Sequence, residues 1–129
     1  MVKFGYTILY VQDVEKSVVF YENTFGFSRK FVTPENDYGE LSTGETTISF
    51  ASKKLAVQNL TEGFIESNLT ARPFAIEIGF ITDKVDELVQ KALSLGAALV
   101  KEPTQKPWGQ IVAYVRDPDG FLIEICTEV

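Results

Sequence analysis

The chain has 129 residues, of which 45% are hydrophobic and 23% charged, and its net charge is −6 with an isoelectric point near 4.6. This balance is typical of a soluble globular domain and argues against a nucleic-acid partner, because such a partner needs a basic surface stripe. The absence of histidine excludes a Ser-His-Asp hydrolase, a Cys-His protease and an iron oxygenase with two histidine ligands.

The first half of the chain has the pattern of a strand, a helix and three further strands. The β-branched and aromatic run at 6–11 predicts a strand, and Asp13 is placed to cap a helix whose apolar residues recur at helical spacing as far as Phe25. Gly26 supplies the end of that helix. Further strands are predicted at 27–32, 38–41 and 46–51.

The second half shows the same order after a polar connector at 53–72. A strand is predicted at 74–81, Asp83 is the candidate cap of a helix, and Gly96 ends that helix. The tetrapeptide Asp117–Gly120 has the residues that a type I turn favours. Around it we predict strands at 97–101, 110–115 and 121–127, with a loop at 103–107.

The agreement between the halves predicts an internal duplication with an offset of about seventy residues. Aligning Val14 with Val85 also aligns Val18 with Val89. The sequence therefore predicts one domain, 1–129, made of two repeats at about 1–55 and 73–129 with a connector at 56–72. The alternative is two unrelated α+β segments whose element order happens to agree.

Both ends of the chain resemble a known superfamily. The segment 10–21 with Gly26-Phe27, and the closing segments 107–110 and 116–124, are similar to the vicinal oxygen chelate superfamily, which includes glyoxalase I, bleomycin-resistance proteins and extradiol dioxygenases. The resemblance implies an α+β fold of two βαβββ modules whose curled mixed sheets surround a central cavity, commonly in a homodimer. It does not fix a reaction, because one fold hosts many activities.

Two glutamates interrupt strands that otherwise look buried. Residues alternate between the two faces of a strand, so Glu77 lies opposite the apolar face of 75–81, and Glu124 lies opposite that of 121–126. A carboxylate on a buried face needs a cation, a metal or a proton to compensate its desolvation. The two interpretations are an ordinary solvated face and, as the resemblance implies, a shared cavity.

The resemblance also assigns four positions at which metal-dependent members hold their ion. They correspond to Tyr6, Ser49, Glu77 and Glu124 in this chain. Where such members often have histidines, this chain has Tyr6 and Glu77, and a hydroxyl replaces the first carboxylate. We therefore predict no resident cofactor and no tight zinc, nickel or iron, with weak binding of magnesium, manganese or calcium at Glu77 and Glu124 left open.

Three functions remain open from the sequence. The first is a metal-free binder of a small, planar, cationic molecule, similar to the bleomycin-resistance branch and its antibiotic-resistance role. The second is a lyase or isomerase of the glyoxalase I type, with Glu77 and Glu124 exchanging protons and Tyr6 donating to an oxyanion. The third is a module with a relic pocket. Candidate ligand-binding residues are Tyr6, Tyr10, Tyr38, Ser49, Glu77, Trp108 and Glu124.

The sequence also gives expectations about location. The lone Cys126 excludes an intrachain disulfide and is expected to be a buried structural thiol. No segment is long and apolar enough to span a membrane, and Met1–Gly5 lacks the apolar run of a signal peptide. We therefore expect a cytoplasmic protein whose partner is a small molecule rather than a membrane or a nucleic acid, and the superfamily resemblance implies a homodimer.

Overall fold

Two four-stranded sheets, one in each half of the chain, carry the fold. The computed structural model describes residues 1–129 and forms two units, which we call unit 1 (Met1–Glu66) and unit 2 (Ser67–Val129). None of the helices has both the length and the apolar character needed to cross a membrane.

Unit 1 is a mixed sheet with two helices. It contains, in chain order, β1 (Thr7–Val11), α1 (Val14–Phe25), β2 (Ser28–Val32), β3 (Tyr38–Ser42), β4 (Thr47–Ser52) and α2 (Lys53–Asn59). The strands lie in the order β1-β4-β3-β2, with β1 parallel to β4 and the other neighbours antiparallel.

The core of unit 1 forms where α1 packs on the sheet. The helix begins after Asp13, whose carboxylate accepts a hydrogen bond from the backbone N–H of Lys16 at 3.1 Å, and it ends at Gly26 in the left-handed conformation (φ +76°). The Tyr21 ring lies 5.3 Å from that of Phe50, which is fully buried on β4. One face of the sheet is thereby covered by α1.

Unit 2 has the same order of sheet strands. Its elements are β5 (Ile78–Ile81), α3 (Val85–Ser94), β6 (Ala98–Gln105), β7 (Ile111–Arg116) and β8 (Leu122–Cys126). The strands lie in the order β5-β8-β7-β6, again with the first pair parallel. The predicted α+β fold of two βαβββ modules is confirmed.

The turn between β7 and β8 is fixed by a buried arginine. Asp117–Gly120 closes with a hydrogen bond from the N–H of Gly120 to the carbonyl of Asp117 at 2.8 Å, as predicted for a type I turn. The Arg116 guanidinium donates to the carbonyls of Gly120, Ala71 and Asn68 at 2.7 to 2.9 Å. This arginine therefore holds residues 68–71 against the turn.

The predicted connector at 53–72 is wrong in its first part, because α2 occupies it. The helix has only seven residues, which is too short for a clear apolar period. Its start is nevertheless capped, since the Ser52 hydroxyl accepts a hydrogen bond from the N–H of Leu55 at 3.0 Å. Ala56 is the helix residue that is buried.

Three predictions in the second half also need correction. β5 begins at Ile78 rather than 74, because its ladder with β8 starts there, opposite Ile123. β6 continues through the predicted loop to Gln105, since irregular pairing between Lys101 and Thr104 accommodates Pro103 on an edge strand. Asp83 is not the cap of α3; that position is Lys84, which makes no side-chain capping bond.

Candidate functional site in unit 2

The two glutamates predicted from strand alternation come together on the face of the unit 2 sheet that α3 does not cover. Glu124 lies in β8 with Gly79 of β5 as its register partner, and Glu77 is two residues before Gly79. Strand partners share a face, so Glu124 projects to the side of Gly79, and Glu77 directly precedes the same strand. They lie close enough for each carboxyl group to shift the pKa of the other.

A tyrosine on the neighbouring strand fixes the Glu124 carboxylate. Tyr114 is the register partner of Glu124 across the β7–β8 ladder, and its hydroxyl donates to Glu124 Oε1 at 2.9 Å. This bond, followed by partial burial, raises the pKa of Tyr114 to about 12. The phenol therefore stays protonated and acts as a permanent donor at neutral pH.

The pKa values of the two carboxyl groups move in opposite directions. Burial is the largest cause that raises the pKa of Glu77, and the nearby Glu124 carboxylate raises it further. Burial also acts to raise the pKa of Glu124, but its polar neighbours Cys126, Tyr114 and Glu77 bring it below its usual value. Glu77 is therefore the more readily protonated of the two carboxyl groups.

Polar contacts continue along the same face as far as Trp108. The Trp108 indole N–H donates to Gln110 Oε1 at 2.9 Å, and Gln110 Nε2 donates to the carbonyl of Thr127 at 2.9 Å. Trp108 is 64% exposed, whereas Gln110 is buried. The buried Cys126 thiol interacts with Glu124 and, as predicted, is a structural thiol, because burial raises its pKa to about 11.

The space beside the two carboxylates is open. A Cβ atom added to Gly79, the residue between them on the sheet, would meet no heavy atom within 4 Å. Neither Glu77 nor Glu124 forms an ion pair with a lysine or arginine. The face therefore presents carboxylate oxygens toward open space; Lys106 is near enough to lower the pKa of Glu124 but forms no ion pair with it.

Four of the predicted ligand-binding residues lie in unit 1. Tyr38 of β3 is half-buried and donates to Glu40 Oε2 at 2.7 Å, while Ser49 of β4 is fully buried. Tyr6, 50% exposed just before β1, is close enough to Tyr38 to affect the pKa of that phenol. Tyr10 packs its ring on Phe64 instead, at 4.9 Å between centroids.

A surface pocket elsewhere in unit 1 contains none of the predicted residues. It has a volume of about 240 Å³ and lies where β4 passes into α2. Its lining residues are Glu35, Asp37, Ser52, Lys54, Leu55 and Gln58.

The predicted metal positions offer two carboxylates and two neutral hydroxyls. In the chain no group of three or more His, Cys, Asp or Glu side chains converges as a metal-binding cluster. Catalytic zinc sites use three protein ligands, commonly histidines, so Tyr6, Ser49, Glu77 and Glu124 do not fit a tight transition-metal ion. Weak binding of magnesium, manganese or calcium stays a prediction.

Sequence reasoning missed the partners of the carboxylates. Tyr114 alternates with Ala113 and Val115 along β7, a pattern that places it on one face but does not say which strand it meets. Gln110 and Glu40 were missed for the same reason. These contacts depend on the register between neighbouring strands, which could not be deduced from the sequence.

Both units have βαβββ order, and in each unit one sheet face is covered by a helix while the other carries polar side chains. This architecture is typical of α+β proteins built from two such modules. The chain belongs to the Glyoxalase/Bleomycin resistance protein/Dioxygenase superfamily, whose family model matches residues 3–125. The resemblance inferred from the two ends of the sequence is thus confirmed.

The sequence identity to individual relatives is low. The uncharacterized protein YraH of Bacillus subtilis is 30% identical over 120 residues, 91% of either chain. Lactoylglutathione lyase GLX1 of Arabidopsis thaliana is 28% identical over 95% of this chain, which spans only 43% of that protein. A glyoxalase-related enzyme from Fulvimarina pelagi has the same fold, with a TM-score of 0.83 at 20% identity, covering 99% of this chain and 89% of that one.

Proposed function

We propose that the open face of unit 2 binds a small, planar, cationic molecule without changing it chemically. The observation that carries the proposal is the open space at Gly79 beside two carboxylates that have no ion-pair partner. Because partly desolvated charges interact strongly, a ligand cation is favoured there. The exposed indole of Trp108 lies on the same unit and offers a stacking or cation–π surface.

The single tryptophan gives a direct test. Trp108 fluorescence is followed while phenyltrimethylammonium is added to the purified protein, and the ligand is recovered afterwards for mass spectrometry. We expect saturable quenching, unchanged ligand, and at least about tenfold weaker binding for Glu124→Gln, since a tenfold change corresponds to about 1.4 kcal/mol. Gly79→Leu, which fills the open space and keeps both charges, should block binding as well.

The matched control is Glu102→Gln, which makes the same charge change on the edge strand β6. If Glu102→Gln weakens binding as much as Glu124→Gln does, only the net charge matters and the site in unit 2 is wrong. Absence of saturable quenching in the unmodified protein would also overturn the proposal.

A second candidate function, a lyase or isomerase, is favoured by the opposed pKa shifts of Glu77 and Glu124. Two carboxyls whose pKa values move apart are the usual arrangement for one proton donor and one acceptor. The name of the Arabidopsis relative, lactoylglutathione lyase, suggests 2-oxoaldehyde–thiol adducts as substrates. Turnover of such adducts, lost in Glu77→Gln and tested with and without divalent ions, would establish this function in place of simple binding.

The proposal also includes a homodimer in the cytoplasm, as the superfamily resemblance implies. Light scattering of the purified protein should then give twice the 14.4 kDa mass of one chain. A monomer at all accessible concentrations would contradict this part of the proposal alone.

A further inference from the structure

The surface pocket at the end of β4 is lined by two segments of opposite charge. The β2–β3 loop contributes Glu35 and Asp37, and α2 contributes Lys54, Leu55 and Gln58. None of the three charged side chains forms an ion pair. Two carboxylates and an ammonium group therefore line one cavity without neutralising each other.

The acidic loop is fixed by hydrogen bonds on both of its sides. The Thr33 hydroxyl donates to Asp37 Oδ1 at 2.7 Å, and the N–H of Ser52 donates to the carbonyl of Asp37 at 2.8 Å, which joins the loop to the end of β4. Asn36 ties the same loop to α1, because its side-chain oxygen accepts from the N–H of Glu15 at 2.8 Å. The acidic part of the pocket is thus formed before any ligand arrives, which lowers the cost of binding.

Two neighbouring lysines on α2 differ in their partners. Lys53 Nζ lies 3.0 Å from Glu66 Oε1, whereas Lys54 has no acidic partner and lines the pocket. Lys54 and Gln58 are four residues apart and therefore share a face of the helix. The half-buried Leu55 adds an apolar surface beside them. The helix thus supplies one cation, one amide and one aliphatic side chain.

The size and the charges of the pocket together limit the class of ligand. Its volume of about 240 Å³ equals that of roughly eight water molecules, so only a small molecule fits. A ligand ammonium group is matched to Glu35 and Asp37, and a ligand carboxylate is matched to Lys54. A molecule with only one of these groups leaves charge of the other sign in the pocket without a partner.

We propose that this pocket binds a small zwitterion that carries both an ammonium and a carboxylate group, the chemical class of the free α-amino acids. Leu55 contacts the aliphatic part of the ligand. The pocket does not depend on the function proposed for unit 2, because all of its lining residues belong to unit 1.

The test uses L-leucine as the probe, followed by ¹⁵N–¹H NMR of the full chain. We expect saturable shifts at the backbone amides of residues 35–37 and 52–58. Isoamylammonium is leucine without its carboxylate, and isocaproate is leucine without its ammonium group. Each should bind at least about fivefold more weakly than leucine, because each loses one set of charged hydrogen bonds. This comparison needs no variant of the protein.

Two variants test the charges of the pocket itself. Lys54→Gln should weaken leucine binding about fivefold, while Lys53→Gln, the same change on the adjacent residue that does not line the pocket, should leave it unchanged. Glu35→Gln should also weaken leucine binding, and Glu45→Gln in the exposed β3–β4 hairpin should not. Lys54 and Glu35 form no ion pair, so their replacement should leave the stability to urea unchanged.

The outcomes also separate this pocket from the site in unit 2. The proposal is wrong if leucine shifts none of these amides, or if isoamylammonium or isocaproate binds as tightly as leucine. Equal weakening by Lys53→Gln and Lys54→Gln would overturn it as well, as would loss of the leucine shifts in Glu124→Gln. Failure of phenyltrimethylammonium to quench Trp108 would affect only the function proposed for unit 2.

Discussion

The two units share one frame but distribute their polar groups differently. In unit 2 the carboxylate is on β8, and its phenol partner, Tyr114, is opposite it on β7. In unit 1 the corresponding ladder pairs Ser49 with Glu40, and the phenol is on the same strand as the carboxylate, two residues away. A phenol–carboxylate pair is thus present in both, displaced by one strand.

The comparison shows why one position in an aligned repeat does not define a site. In unit 1 the position equivalent to Glu124 is Ser49, whose side chain has no charge. The carboxylate on that face belongs to Glu40, on the neighbouring strand β3. Both units have a carboxylate that accepts a hydrogen bond from a phenol, although the aligned positions hold different residues.

The largest difference between the units is expected in the free energy of unfolding when the glycines of the β7–β8 and β3–β4 turns are replaced. A Cβ on Gly120 would lie 2.6 Å from the carbonyl carbon of Asn68 and 2.7 Å from its oxygen, at a φ of +94°. Gly44, in the β3–β4 hairpin, has a φ of +107° but open space around it. We expect Gly120→Ala to lower the free energy of unfolding by about 3 kcal/mol or more, from strain plus overpacking.

Gly44→Ala serves as the matched variant, because it carries the left-handed strain without the clash. It should cost about 1–2 kcal/mol. Urea unfolding of both variants measures the difference. Equal losses would mean that the contact between Gly120 and residues 68–71 does not constrain unit 2.

The sequence predicted well those features that depend on local chemistry. Asp13 and Gly26 bound α1 because capping needs only a carboxylate and a residue that tolerates positive φ. Strand alternation placed Glu124 opposite the apolar face of its strand for a similar reason, since the period of two is intrinsic to a strand. That Glu77 lies beside it was implied by the superfamily resemblance. Asp117–Gly120 was predicted from turn composition alone.

Features that depend on pairing were missed. β6 continues across Pro103 because a bulged edge strand tolerates a residue without an N–H, which strand propensity does not report. α2 has too few residues to show a helical period. The contacts of Tyr114 and Glu40 follow from register, so the site could be predicted as two carboxylates but not as hydrogen-bonded pairs.

The helix caps provide the second, smaller difference between the units. Asp13→Ala should lower the free energy of unfolding by about 1 kcal/mol, because its carboxylate caps α1 and also accepts from Asn36 at 3.0 Å. Asp83→Ala, at the start of α3, should change it by less than about 0.5 kcal/mol, since this residue caps nothing. Urea titrations of the two variants provide the measurement.

The stabilisation that the Asp13 cap provides should also depend on pH. The hydrogen bond from Asn36, followed by that from Lys16, lowers the pKa of Asp13 below the value of 3.8 that is usual for an aspartate. Its stabilising effect is therefore present above that value and is lost as the pH falls through the lowered pKa. If Asp13→Ala costs the same at pH 7 and below that pKa, the cap does not act through the ionised carboxylate.

The smallest expected effects on the free energy of unfolding are those of replacing two glutamates whose pKa values shift in opposite directions. Burial raises the pKa of Glu77, so its folded-state advantage is complete below the unfolded value of 4.5 and is lost as the pH rises through the raised pKa. Glu77→Gln should therefore stabilise the protein at pH 7, by a few tenths of a kcal/mol for a partly exposed group. In unit 1 the hydrogen bonds from Arg29, at 2.7 and 2.9 Å, lower the pKa of Glu15.

Glu15→Gln should accordingly have the opposite sign. Its ionised form stabilises the fold above pH 4.5, and this contribution disappears as the pH falls through the lowered pKa. The loss at pH 7 should stay within about 0.5 kcal/mol, because the Glu15 side chain is 46% exposed and the ion pair is screened by solvent. Unfolding curves of both variants at pH 4 and pH 7 test the pair, and effects of the same sign at pH 7 would show that Glu77 is not held in an environment that disfavours its charge.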